Sequence, residues 1–123
     1  MIIRPLEDRG YKYLRYDGSM DIKQRADTVS KFFDDPEVKV LLVSTKCGSL
    51  GLNLTCANRV ILMDVWWNPA LENQAIDRVH RIGQQKPVEV HRIFINDTVE
   101  DRILKLQEKK QVIIEFLYFH FEM

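Results

Sequence analysis

Cysteine is scarce. The chain has two, Cys47 and Cys56, among 123 residues, which excludes a disulfide framework and fits a reducing compartment. An excess of either charge is also missing: Lys+Arg and Asp+Glu are both 18, so no broad basic field advertises a nucleic-acid partner. Local patches matter more than the sum, and residues 74–92 form a mildly basic island, with Arg78, Arg81, Lys86 and Arg92 against Asp77 and Glu89. Long apolar runs are absent too. The longest, Val112 to Phe121, is interrupted by Glu115 and His120 and falls well short of the roughly 18–20 residues that span a bilayer. Residues 1–8 hold no apolar signal core, so secretion is not expected. No repeat, linker or low-complexity segment interrupts the chain. What is present, 46% hydrophobic and 29% charged residues, is enough for a core and a soluble surface in one intracellular domain.

Residues 1–9 read as the end of a helix stopped by Gly10, and the aromatic-rich Tyr11 to Tyr16 as a short strand. Asp17-Gly18 signals a turn. Ile22, Ala26, Val29, Phe32 and Phe33 recur at helical spacing between Asp21 and Phe33, and Asp34-Asp35-Pro36 closes that helix. Val38 to Val43 and Arg59 to Asp64 have the nearly continuous apolar character of strands buried on both faces. Asn68-Pro69 is a helix start, Asn capping and Pro in the first turn, and that helix is expected to reach about Arg81. Val88 to Ile95 reads as a strand nearer the sheet edge. Asp97-Thr98-Val99-Glu100 resembles a capping box before a last helix. Strands alternating with helices imply an α/β domain with a mostly parallel sheet, whose ligands sit at the carboxyl ends of the strands. The loops after Val43 and Asp64 are therefore where a functional site is expected.

Ser44 to Thr55 is a glycine-containing loop after a buried strand. Gly48 and Gly51 either let backbone approach a phosphate closely or simply make a tight connection. No GxxxxGK[ST] occurs in the chain, so the loop is not a P-loop. Arg78 and Arg81, three apart, would share one helical face with Gly83 ending the helix, an arrangement that suits a phosphate. The plainer alternative is a solvated face on which they pair with Asp77 or Glu72. His80, between them, is read as a structural hydrogen-bonding residue. Cys47, Cys56, His80 and His91 lack metal-ligand spacing, so no metal site is expected. Of Trp66 and Trp67, adjacent at a strand-to-helix turn, one is expected to pack and one to be exposed, free to stack on a base or dock on a partner.

Three ordered blocks resemble the second RecA-like lobe of the Swi/Snf-type ATPases among the superfamily-two helicases. The first is Tyr16-Asp17-Gly18-Ser19 followed by Arg25 and Phe32. The second is Ser44 to Asn53 with Leu54-Thr55, similar to motif V. The third is Asp64-Val65-Trp66-Trp67-Asn68-Pro69 leading into Gln74 to Gln84, with its HRIGQ ending, similar to motif VI. Together they cover residues 11–105, and the run Ser44 to Ser49 most resembles the DNA-repair branch with RING-containing translocases. The resemblance implies a RecA-like lobe of about five strands flanked by helices. It implies half of a motor that couples ATP hydrolysis to movement along double-stranded DNA, in chromatin remodelling or repair, in the nucleus. It places Arg78 and Arg81 on the phosphates of ATP as catalytic arginines, one of them an arginine finger. It puts Gly51, Asn53, Gln74 and Asp77 near the nucleotide, and Ser44, Thr45 and Lys46 near the DNA backbone.

Two departures stand out. The Walker A lysine, the DExH carboxylates that hold Mg²⁺ and the general base, all features of the first lobe, do not occur in the sequence, nor does the strand that carries motif IV. ATP and Mg²⁺ are therefore expected only with that lobe as partner. The other departure is residues 112–123, an apolar tail unlike the family's polar helix end and an aggregation hazard, set apart from a lobe over residues 1–111. The alternatives to half a motor are a non-catalytic fragment that binds DNA or a partner, and a truncated product without stable function.

Overall fold

The computed structural model describes residues 2–47 and 51–121. The first helix, α1 (Ile3–Asp8), stops where expected. Gly10 takes a left-handed φ of 70°, and the amides of Gly10 and Tyr11 donate back to the carbonyls of Glu7 and Leu6. This pair of bonds satisfies the last helical carbonyls, and glycine adopts the required conformation without a Cβ penalty.

Strand β1 (Lys12–Tyr16) follows, then the turn at Asp17. The Asp17 carboxylate accepts from the Ser19 hydroxyl and amide and from Arg15 at 3.1 Å. These bonds, the Ser19 hydroxyl first, hold its pKa below the ordinary value. A carboxyl lowered in the folded state contributes stability above its unfolded pKa and loses it as pH falls through the folded one. The Ser19 amide resonance should therefore titrate with a midpoint below that of a free aspartate; a midpoint at the free value would show that the turn is not held this way.

Helix α2 (Ile22–Asp34) opens with a reciprocal capping box, Asp21 accepting from the Gln24 amide and the Gln24 side chain from the Asp21 amide. It returns the chain to β2 (Val38–Val43), parallel to β1, with Tyr13 opposite Val40 and Tyr16 opposite Val43. A 3-10 turn at Thr45–Cys47 follows. Beyond it lie β3 (Arg59–Leu62), α3 (Pro69–Asp77), β4 (Glu89–Arg92) and α4 (Val99–Phe121). β3 and β4 are again parallel, from Arg59 opposite Glu89 to Leu62 opposite Arg92.

The α/β class and parallel pairing agree with the sequence, but the sheet departs from it in two ways. The described residues contain four strands in two separate pairs, β1-β2 and β3-β4, rather than about five in one sheet. The two strands read as buried on both faces are only partly so. In β2, Val38 is buried and Val43 exposed; in β3, Val60 and Leu62 are half-buried while Ile61 stays 57% exposed. Each has a single hydrogen-bonded neighbour among the described residues, so one side of an interior-type strand is left uncovered. Among the described residues the buried apolar ones are Tyr16, Val38, Cys47, Leu54, Val79 and Ile103.

Helix α4 begins with a different cap from the one read in the sequence. Thr98, not Asp97, accepts from the Glu100 amide, and the Glu100 carboxylate reaches back to the amide of Ile95 at 2.8 Å. Asp97 lies in the left-handed region at φ 59°. The helix continues through the apolar tail to Phe121. Among the described residues no helix is long and apolar enough to cross a membrane.

Candidate functional site

Helix α3 starts as read, with the Asn68 side chain accepting from the Ala70 amide at 3.0 Å and Pro69 in the first turn. It ends earlier than expected, at Asp77 rather than about Arg81. The arginines therefore do not share a helical face. Beyond that end, the Arg78 carbonyl is taken by the Leu54 amide at 2.8 Å and the Val79 carbonyl by the Gln84 side chain at 3.1 Å. The chain tightens through amide bonds from Arg78 to Ala75 and from Val79 to Ile76, then turns at Gly83, φ 101°.

The same contacts bring the two sequence blocks together. Arg81 donates from Nη1 to the Leu52 carbonyl at 3.1 Å, so the arginine turn grips the glycine-containing loop twice, at Leu52 and Leu54. A groove of about 630 Å³ opens beside it, lined in part by Asp77, Arg78, His80, Arg81, Gln84 and Lys86. Arg81, Lys86 and Asp77 are exposed in it, and Arg78 is half-buried. Arg78, Arg81 and Lys86 are the cationic residues of its lining and Asp77 the acidic one.

The remaining site residues are dispersed. Gly51 and Asn53 are exposed and flank Leu52, the acceptor of Arg81, without lining the groove; the Asn53 side chain accepts from the Thr55 amide at 3.2 Å. Gln74 is exposed on α3 and does not line it. Ser44, Thr45 and Lys46 stand apart at the end of β2. The Ser44 amide extends the β1-β2 ladder by donating to Tyr16 at 3.0 Å, and Thr45 and Lys46 present exposed side chains on the 3-10 turn. Gly48, Ser49 and Leu50 of this block lie outside the described residues.

Both cysteines are free, Cys47 buried and Cys56 half-buried; burial pushes the Cys56 thiol above its ordinary pKa. No group of three His, Cys, Asp or Glu among the described residues is placed to hold a metal ion. Trp67 is the exposed tryptophan at 57%, while Trp66 is half-buried with its Nε1 enclosed.

Sequence reasoning missed a buried polar hub behind the site. Glu72, only 2% exposed, accepts from Arg92 at 2.9 Å, from the Gln107 amide and from the Trp66 backbone. Gln107 also donates to the Trp66 carbonyl. A glutamate in the first turn of a helix looks like a solvated, dipole-favoured residue, and nothing local in the sequence marks it as interior. Glu72 is therefore not the partner of the arginines in the turn, as the plainer alternative has it; it pairs with Arg92.

A parallel α/β lobe with a paired-arginine turn gripping the preceding loop defines a class, the RecA-like lobe of a helicase. The model of the helicase conserved C-terminal domain matches residues 2–83. Helicase-like transcription factor CHR27 of Arabidopsis thaliana is 55% identical over 112 residues, 91% of this chain and 11% of the relative. DNA repair protein rad8 of Schizosaccharomyces pombe is 52% identical over 108 residues, 88% of this chain and 10% of the relative. The crystal structure of the C-terminal part of the Fun30 ATPase domain superposes with a TM-score of 0.83 at 39% identity, covering 86% of this chain and 34% of that one. The chain belongs to the helicase conserved C-terminal domain family, in its Swi/Snf-type branch. It spans about a tenth of the length of the curated relatives it matches.

Proposed function

We propose that this lobe supplies the arginine side of a DNA-dependent ATPase that moves along double-stranded DNA in the nucleus, in repair or chromatin remodelling. The observation that supports this most is the arginine turn: Arg78 and Arg81 line one groove while Arg81 is braced on Leu52. The residues present suit the polyphosphate of ATP, which carries the bond to be broken. Arg78, Arg81 and Lys86 offer the cationic wall of that groove, and Arg81, its Nη1 fixed by a backbone carbonyl, is the finger. Asp77 at the end of α3, Gln74 on its exposed surface, and Gly51 and Asn53 beside Leu52 complete the nucleotide-facing side. Mg²⁺ and the phosphate cradle belong to a first lobe.

Ser44, Thr45 and Lys46 form the DNA-backbone contact. Lys46 on its exposed turn neutralises a phosphate and positions the lobe without reading sequence. Lys46→Ala should weaken binding of duplexes of different sequence by similar factors and lower the salt slope by about 1. Loss confined to one sequence, or an unchanged slope, would remove Lys46 from the contact.

This polypeptide alone is proposed not to turn over ATP at a significant rate, because no Walker A or DExH motif occurs in its sequence. The test is ATP hydrolysis by the purified 123-residue chain, with and without double-stranded DNA, beside Arg81→Ala. The expected result is no turnover above the variant. DNA-stimulated turnover that depends on Arg81 would sink the proposal and reveal a phosphate cradle within this chain.

A further inference from the structure

Gln84 lines the groove just after the arginine turn and carries no charge of its own. Its side chain is half-buried and spends its main hydrogen-bonding capacity on backbone. Nε2 donates to the Ala57 carbonyl at 2.6 Å and to the Val79 carbonyl at 3.1 Å, and Oε1 accepts from the Lys86 amide at 3.0 Å. Its own amide donates to the Arg81 carbonyl at 3.0 Å, closing the turn. One primary amide thus joins three segments: the stretch before β3, the end of the arginine-bearing turn, and the approach to β4. Only a primary amide both donates twice and accepts at that length.

We propose that Gln84 is a positioning residue for the anion groove, fixing the turn that carries Arg78 and Arg81 and setting Lys86 beside them as a third cation for the same polyphosphate. The Val79 carbonyl it captures lies in the turn between Arg78 and Arg81, so the amide holds the backbone between the two arginines. With the amide gone, the arginine turn and Lys86 lose their common tether. This inference rests on the groove being the anion site.

The test uses the full 123-residue chain and inorganic triphosphate as probe. Affinity is measured by calorimetry and the arginine Nε–Hε resonances are followed by NMR for the unaltered chain, Arg81→Ala, Gln84→Glu and Gln84→Met. Glutamate keeps the acceptor, loses both donors and adds a charge that itself repels triphosphate, so the neutral methionine, which keeps the length and loses everything polar, carries the comparison. Both variants should retain the fold and bind triphosphate about ten- to a hundredfold more weakly, the scale of one hydrogen bond to a charged group. In both, the arginine shifts at saturating triphosphate should differ from those of the unaltered chain, a response that a purely structural role would leave intact. Wild-type affinity in a folded Gln84 variant, with Arg81→Ala weakened, overturns the positioning role alone. Absence of binding to the unaltered chain, or indifference to Arg81→Ala, overturns the groove reading and this inference with it. Unfolding of both Gln84 variants assigns the residue to stability and overturns the proposal.

Discussion

Arg81→Ala, made in a polypeptide that also carries the ATP-cradling lobe, is expected to lower kcat for DNA-stimulated ATP hydrolysis by about 10³–10⁵-fold, the range for removing an arginine finger. KM for ATP should change far less, because an interaction realised mainly in the transition state is lost from kcat. The geometry behind this expectation is the bond from Arg81 to the Leu52 carbonyl, which holds the guanidinium before any nucleotide arrives. Preorganised charge in this position costs no rearrangement during the reaction. Arg81→Lys should recover little, since an ammonium cannot brace on Leu52 and present a second donor in a fixed fork. Steady-state kinetics decide the matter. A loss in KM with kcat intact would make Arg81 a binding residue only.

Arg92→Leu should destabilise the fold by about 3 kcal/mol, at the lower end of the range for breaking a buried ion pair. The asymmetry of the pair explains the choice of variant. Glu72 is 2% exposed while the Arg92 side chain keeps 45% of its surface in solvent. Losing Arg92 leaves a buried carboxylate with Gln107 and the Trp66 amide as its donors among the described residues. Glu72→Gln leaves instead an arginine that turns to water, and should cost less than Arg92→Leu. Urea unfolding of both variants and of the double variant measures the coupling. Equal, small losses in both single variants would show that Glu72 is not interior. The hub links α3, β4, α4 and the Trp66 turn, so its loss should loosen the packing behind the arginine turn as well.

Much of the architecture was legible in the chain because its signals are local. Gly10, the aromatic-rich β1, the apolar runs of β2 and β3, and Asn68-Pro69 each act within a few residues, and each gave the expected type of element or boundary. The end of α3 was not legible. Its pattern continues helically through Arg81, yet the Arg78 and Val79 amides bond three residues back, to Ala75 and Ile76, and the Leu54 amide and the Gln84 side chain hold the turn that follows. Those donors lie in other parts of the chain or beyond the turn, where periodicity carries no information. The cap of α4 shifted by one residue for a similar reason, since the Glu100 carboxylate found the Ile95 amide.

Sequence by itself determined the class of fold, the branch of the family and the residue types at the site, because spacing and side-chain chemistry are written along the chain. Tertiary structure decided which of those residues meet. It set Arg78 and Arg81 on one groove with Lys86, left Ser44, Thr45 and Lys46 on a separate turn, exposed Trp67 rather than Trp66, and buried Glu72 against Arg92. Such outcomes depend on which backbone groups and charges from distant segments compete for one another once the elements pack, and no local pattern ranks those competitors.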